Sequence, residues 1–413
     1  MTTKRLRVAG LAFAALLALP PRPVAAEGID WPQFRGADRD GVSSETGLLQ
    51  TWPDGGPNEL WRVELGEGYS AVSIAGDRVY TMYAAEHEGK PVEVAAAFEA
   101  ASGKLLWKTA VGPKKETEFG NGPRSTPTVD GQTVYVLGSE GSLAALNAAD
   151  GKPNWQVELT TMFGGQVPFW GFSTSPLVDG ELLILQAGGA DGKSYVALDK
   201  KTGELKWAIG DGGAGYNSPL LVELGGARRY LCFGGGKLMA LDGQGAEVWS
   251  VDWPRGETHA MPVFIPPDRI FASGAEGIGA RLLRVGNDAD GKVAVEELWS
   301  DRFMRNHFSS SVAIGATVYG FDNATLKAIS LDDAKLSWAK RGLGKGSLIY
   351  ADGNLLVLSD RGELLLVRAS PDAFTQHGAV QALDGRTWTA PSLSRGRLYL
   401  RDQKQMVAYD LRQ

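Results

Sequence analysis

The sequence predicts an all-β chain folded as a closed ring of repeated four-stranded units, and three observations carry that expectation. A tryptophan keeps returning: Trp61, Trp107, Trp155, Trp207, Trp249, Trp299 and Trp338 lie 46, 48, 52, 42, 50 and 39 residues apart. Four of them close one phrase through a glycine turn: Ala97-Phe98-Glu99 to Trp107, Ala145-Leu146-Asn147 to Trp155, Ala197-Leu198-Asp199 to Trp207 and Ala240-Leu241-Asp242 to Trp249. Asp-Gly pairs sit between apolar runs at Asp130-Gly131, Asp179-Gly180 and Asp352-Gly353. Such pairs are a strong hairpin signal, because glycine accepts positive φ and aspartate tolerates it. A strand-built repeat of roughly 40–50 residues is one blade of a β-propeller.

From the N-terminus, the first expected element is a leader. Lys4, Arg5 and Arg7 are positive, residues 8–19 form an apolar run of 12, Pro20, Pro21 and Pro23 break it, and Val24-Ala25-Ala26 offers small residues before Glu27. Residues 1–26 therefore read as a secretory signal peptide, too short to span a membrane. Residues 27–56 read as an N-terminal extension and residues 57–413 as the eight-bladed propeller. Each blade opens on small, polar or proline residues, turns, runs to the Ala-x-Asp phrase, turns again and ends on the tryptophan strand, which makes four antiparallel strands. The innermost strands are expected to start near Tyr69, Ser125, Ser173, Tyr216, His259, His307, Lys345 and Trp388. Blade five carries a longer turn at residues 287–292, and blade seven lacks its tryptophan, with Phe374 as a partial substitute. The last unit ends at Ala408-Tyr409-Asp410-Leu411, and Glu59-Leu60-Trp61-Arg62-Val63 supplies its missing outer strand from the other end of the chain. That closure removes the open edges that invite aggregation. The tryptophans are expected to pack between sheets, each alanine leaving room for an indole from a neighbouring blade.

Composition narrows the function classes. The formal net charge is −6, and loss of the leader with Lys4, Arg5, Arg7 and Arg22 takes it to about −10. That argues against nucleic acid or an anionic membrane as a partner. No later stretch is apolar enough to cross a bilayer, so the mature chain is expected to be exported, periplasmic or secreted, and monomeric. The lone Cys232 has no partner for an intramolecular disulfide and reads as a core residue in Tyr230-Leu231-Cys232-Phe233. The chain holds no Cys-x-x-Cys-His haem motif, no Gly-x-Ser-x-Gly elbow and no complete phosphate-binding loop; Gly344-Lys345-Gly346-Ser347 is only a fragment of one.

Residues at the strand starts of a propeller converge on one central funnel. Here they are Arg124, Trp170, Phe172, Tyr216, Asn217, His259, Asn306, His307, Lys345 and Trp388. Aromatic plates beside cationic and amide donors suit a flat, polar or anionic ligand. The same residue types also cap backbone ends at any propeller mouth, and both readings stand at this point. His259 and His307 lack an evident carboxylate partner, so no metal is assigned to them. His87 and His377 are expected to face solvent.

The phrase Ala-x-Asp-x-x-Thr-Gly-x-x-x-Trp, best preserved from Ala197 to Trp207, resembles the repeat of the PQQ-binding-like (quinoprotein-type) β-propellers. The resemblance spans the mature chain. The opening Trp31-Pro32-Gln33-Phe34-Arg35-Gly36, with Gly41-Val42-Ser43 after it, is similar to exported members of that group. The resemblance implies an eight-bladed ring. It is shared by quinone-dependent dehydrogenases and by non-enzymatic scaffolds of outer-membrane assembly. The dehydrogenases carry adjacent cysteines, a calcium ion held by Glu, Asn and Asp, and a catalytic aspartate, and none of these carries over to the strand-start residues here. The scaffolds are usually lipoproteins, and no cysteine follows the apolar run.

The expectation is therefore an exported, non-catalytic propeller that binds a protein, peptide or glycan at its funnel, with no cofactor and no catalytic residue assigned. The alternative is a dehydrogenase-like oxidoreductase with a reduced site. Pyrroloquinoline quinone and calcium would then bind there, Arg124 and Lys345 pairing the quinone carboxylates and Trp170 or Trp388 stacking on its plane.

Overall fold

The computed structural model describes residues 29–256 and 258–413; the expected leader, residues 1–26, lies outside them. Eight sheets, each built on four antiparallel strands, follow one another along the described chain. The first blade comprises Ser73–Ala75, Arg78–His87, Lys90–Glu99 and Leu105–Pro113, and the next six repeat that order. The innermost strands begin at Ser73, Thr128, Leu177, Leu220, Val263, Val312, Ser347 and Ser392, two to five residues after the expected starts. The eighth blade is closed as expected: Asn58–Glu64 pairs antiparallel with Gln405–Asp410 as its outer strand. A single short α-helix, Leu159–Phe163, is described.

The turn chemistry matches the sequence signals. Asp352 and Gly353 both take positive φ, 46° and 80°, between Ser347–Ala351 and Asn354–Leu358. In the second turn of the third blade, the Asp199 carboxylate accepts from the Lys201 and Thr202 amides at 2.9 and 3.3 Å, and Gly203 N donates to Asp199 O at 2.8 Å. Aspartate and threonine are favoured there because their side chains bond locally to the turn backbone.

The alanine of the repeat works differently from the expectation. Ala97, Ala145 and Ala328 are cross-strand partners of Trp107, Trp155 and Trp338 in their own blades. Each alanine lies between a tryptophan and a tyrosine of the same sheet, and the two rings approach over it: Tyr80–Trp107 at 6.1 Å, Tyr135–Trp155 at 6.2 Å and Tyr319–Trp338 at 5.9 Å. The neighbouring blade contributes its turn glycine instead. A Cβ on Gly151 would fall 2.5 Å from the Trp107 ring, and one on Gly203 would fall 3.0 Å from Trp155. The indole N–H then donates to the next blade, from Trp107 to Ala148 O at 3.0 Å and from Trp155 to Lys200 O at 3.1 Å. One phrase thus does two jobs: alanine makes room for the indole of its own sheet, and glycine seats the indole of the preceding sheet.

The N-terminal extension is a hairpin threaded into the central channel. Trp31 bridges Ile74 of the first blade, Pro32 O accepts from Val129 N of the second, and Val42–Ser43 pairs parallel with Ser347–Ala351, giving the seventh blade a fifth strand. At the hairpin tip, Arg35 and Arg39 are 3% and 1% exposed. Further on, Trp52 packs on Gly378, where a Cβ would lie 2.7 Å from the Trp52 Cβ. Gly378 occupies the outer-strand position that holds tryptophan elsewhere, so the extension supplies the indole the seventh blade lacks. Phe374 packs edge-on against Trp338 of the sixth blade at 5.5 Å. His87 is exposed, but His377 is half-buried beneath the extension, its Nδ1 3.1 Å from Gln50 O. Cys232 is fully buried, and burial pushes its thiol pKa up. Among the described residues, no helix is long and apolar enough to cross a membrane.

Candidate functional site

The strand starts converge around a cavity of about 350 Å³ at one end of the channel. Of the residues expected there, Arg124, Trp170, Tyr216, His259, His307, Lys345 and Trp388 line it. Phe172, Asn217 and Asn306 are placed elsewhere. Phe172 is fully buried in the core between the second and third blades. Asn217 Nδ2 donates to Thr258 O, and Asn306 Nδ2 donates to Phe321 O at 3.0 Å while its Oδ1 accepts from Ser311 Oγ at 2.9 Å. Around Tyr216 the reason is local: successive residues of an extended segment point to opposite sides, so Tyr216 and Ser218 line the cavity and Asn217 does not. Beside His307 the run does not alternate: Phe308, Ser309 and Ser310 line the cavity with it, while Asn306 turns inward and ties its loop.

The rings form a nearly continuous collar. Tyr69 stacks on Trp388 at 5.6 Å and 24° between planes. Trp388 meets Phe308 at 4.9 Å, Phe308 meets His307 at 5.0 Å, and His307 meets His259 edge-on at 5.6 Å. His259 then meets Tyr216 at 4.9 Å and Trp170 at 5.5 Å, and Trp170 meets Phe119 at 6.1 Å. The Tyr69 hydroxyl donates to Phe119 O at 2.6 Å and completes the circle.

Three cations surround this collar. Arg124 lies 5.4 Å from the Tyr69 ring centroid and is held by Gly122 O at 3.0 Å and Gly120 O at 2.9 Å. Lys345 is half-buried, its backbone N fixed by the Asp360 carboxylate at 3.2 Å. Arg35 comes up from the threaded hairpin as part of the cavity floor, with Phe34 beside it. Its guanidinium donates to Ser310 O at 3.2 Å, Ser311 O at 2.7 Å, Asp40 O at 2.5 Å and Arg39 O at 3.4 Å. Burial pulls the Arg35 pKa down to about 10, which leaves it charged at neutral pH. Among the described lining residues the carboxylate is Glu276, exposed at the lip.

Both funnel histidines are held neutral. Burial, then His307 and Lys345, push the His259 pKa down to about 3; burial, then Lys345, push His307 down to about 4. An unfolded chain takes up these protons near 6.5. The stability contributed by the neutral imidazoles is therefore full above pH 6.5 and is lost as pH falls through about 4 and then about 3. Imidazole nitrogen shifts followed by NMR should show neither ring taking a proton between pH 7 and pH 5. A midpoint near 6.5 for either would contradict its burial.

Sequence reasoning missed Phe34, Arg35, Tyr69, Phe119, Phe308 and Glu276 as lining residues. Tyr69 stood at an expected strand start and Phe308 beside His307, so their neighbours carried the signal. Arg35 had one faint signal: a cation placed directly after the Trp31–Phe34 stretch and directly before Gly36.

A family model described as "Outer membrane protein assembly factor BamB" matches residues 53–168 and 91–340. The assembly factor BamB of Yersinia pestis is 24% identical over 356 residues, covering 84% of this chain and 76% of that protein. Its counterpart in Escherichia coli (strain K12) is 24% identical over 321 residues, covering 72% and 76%. Among solved structures, BamB from Moraxella catarrhalis is similar with a TM-score of 0.61 at 16% identity, over 86% of this chain and 97% of that one. The quinohemoprotein alcohol dehydrogenase of Comamonas testosteroni gives 0.63 at 13% identity, over 92% and 80%. These two likenesses share the fold alone, and a fold does not choose between their activities.

Proposed function

This chain belongs to the family of the outer membrane protein assembly factor BamB, and from that premise we propose that it is an exported, non-catalytic propeller that binds protein partners in outer membrane protein assembly. The leader read in residues 1–26 supplies its export to the periplasm. The observation that carries the reading is the funnel rim. Phe169 and Phe119 are 69% and 44% exposed, and both pack against Trp170. Arg124 lines the cavity together with Phe119 and Trp170. Exposed aromatic rings next to arginine are the residue types that dominate protein-binding hot spots.

The described lining does not fit a calcium-bound quinone. Calcium asks for six to eight oxygen ligands, carboxylates among them. The described lining meets that demand with one carboxylate at its lip and three cations around it.

A photoreactive phenylalanine analogue placed at Phe169 in the full chain tests the proposal. Irradiation in a native host should give a discrete crosslink to a protein of outer membrane assembly, identified by mass spectrometry. The same analogue at Leu336, exposed on the outer strand of the sixth blade, should not. A rim position no more reactive than Leu336 would remove the funnel from the proposal.

A further inference from the structure

We propose, building on the scaffold reading above, that the funnel recognises an acidic peptide segment of the partner, with Arg35 of the threaded hairpin supplying positive charge at its floor. Four observations converge. The first is charge: a chain of net charge −6 gathers Arg35, Arg124 and Lys345 around one cavity whose described lining holds a single carboxylate. Asp40 and Glu93 act on Arg35 and Arg124 from outside the lining, and neither is itself a lining residue. The second is the inventory of donors. Arg35 has five N–H bonds and the four carbonyls it meets take four of them, which leaves one on Nη1. That remaining donor, with the fixed charges of Arg124 and Lys345 around it, calls for an acceptor, and a carboxylate accepts at both oxygens.

The third observation is the neutrality of His259 and His307. They widen the collar as flat, uncharged faces, so the attraction comes from the fixed cations and does not switch with pH near neutrality. The fourth is shape. The hairpin closes the channel below, so the ligand enters and leaves at the rim, where Phe119 and Phe169 offer apolar surface to the rest of an incoming chain. A cavity of about 350 Å³ takes a few side chains of a peptide and leaves the remainder on the rim.

The test is calorimetric titration of the full chain with acetylated hexaglutamate, acetylated hexaglutamine and free glutamate. Hexaglutamate should bind, weaken as salt rises, and lose about tenfold in affinity in Lys345→Gln, with Lys345→Arg restoring it. Arg124→Gln should act in the same direction, with some loss of melting temperature because the guanidinium also bonds Gly120 O and Gly122 O. Equal binding of hexaglutamate and hexaglutamine, no binding of either, or an affinity indifferent to Lys345→Gln would overturn the inference. Free glutamate binding as tightly as the hexapeptide would also overturn it, and would make the funnel a small-carboxylate site. A crosslink from Phe169 without hexaglutamate preference sinks this inference and leaves the scaffold reading standing; the preference without a crosslink does the reverse.

Discussion

Arg39→Glu should destabilise the chain by about 5 kcal/mol, read as a shift in the urea midpoint at an unchanged slope. The Arg39 guanidinium sits 1% exposed in the channel, at the tip of the threaded hairpin. It donates to Ser175 O at 3.1 Å, Pro219 O at 3.0 Å and Pro176 O, and to Gln33 Oε1 at 2.8 Å. Those acceptors come from the third and fourth blades and from the hairpin itself, so one side chain ties three segments that are distant in sequence. A carboxylate in its place would meet carbonyl oxygens, lone pair against lone pair, in a site with little water to screen it. Arg39→Lys keeps the charge but not the fork, and its loss should be clearly smaller. A glutamate variant within about 1 kcal/mol of the parent would mean that the plug contributes little to the ring.

Trp107→Ala should cost about 4 kcal/mol by the same measurement. Trp107 is buried between the first and second blades, its indole seated on Gly151 and bonded to Ala148 O. Truncation removes a large apolar area and opens a cavity along the inter-blade seam, and strands held by their own ladders cannot collapse into it. Trp107→Phe should recover most of the loss, because burial is the larger part. Trp207 supports that ranking: it occupies the same seat in the third blade while its Nε1 finds no acceptor among the described residues. A cost near 1 kcal/mol for the alanine variant would assign ring stability to the ladders rather than to the wedges.

The ring was legible in the sequence because its information is local and repeated. Ala145, Gly151 and Trp155 recur at fixed offsets since each blade solves the same packing problem, and the unpaired end at Leu411 pointed to the strand around Trp61. The threaded hairpin was illegible for the opposite reason. Arg35 and Arg39 bond to main-chain carbonyls as many as 276 residues away, and a carbonyl leaves no signature in the amino-acid sequence. Trp52 gave no sign that it would cover Gly378, because each looks ordinary until the chain is closed. The candidate site fell between these cases. Strand starts located the funnel, but the alternation of an extended backbone decided that Tyr216 faces it and Asn217 does not.

The seam between Asn58–Glu64 and Gln405–Asp410 also sets a timetable for biogenesis. The ribosome releases the first of these strands long before the second exists. Throughout the synthesis of the intervening sheets, Trp61 and its ladder groups wait without their mate, exposed to every other nascent strand in the vicinity. Completion is therefore a late, long-distance event, entropically costly and slow compared with the hairpins that precede it. A chain truncated before Gln405 carries most of the architecture yet lacks the latch, and is a natural target for holding chaperones and proteases.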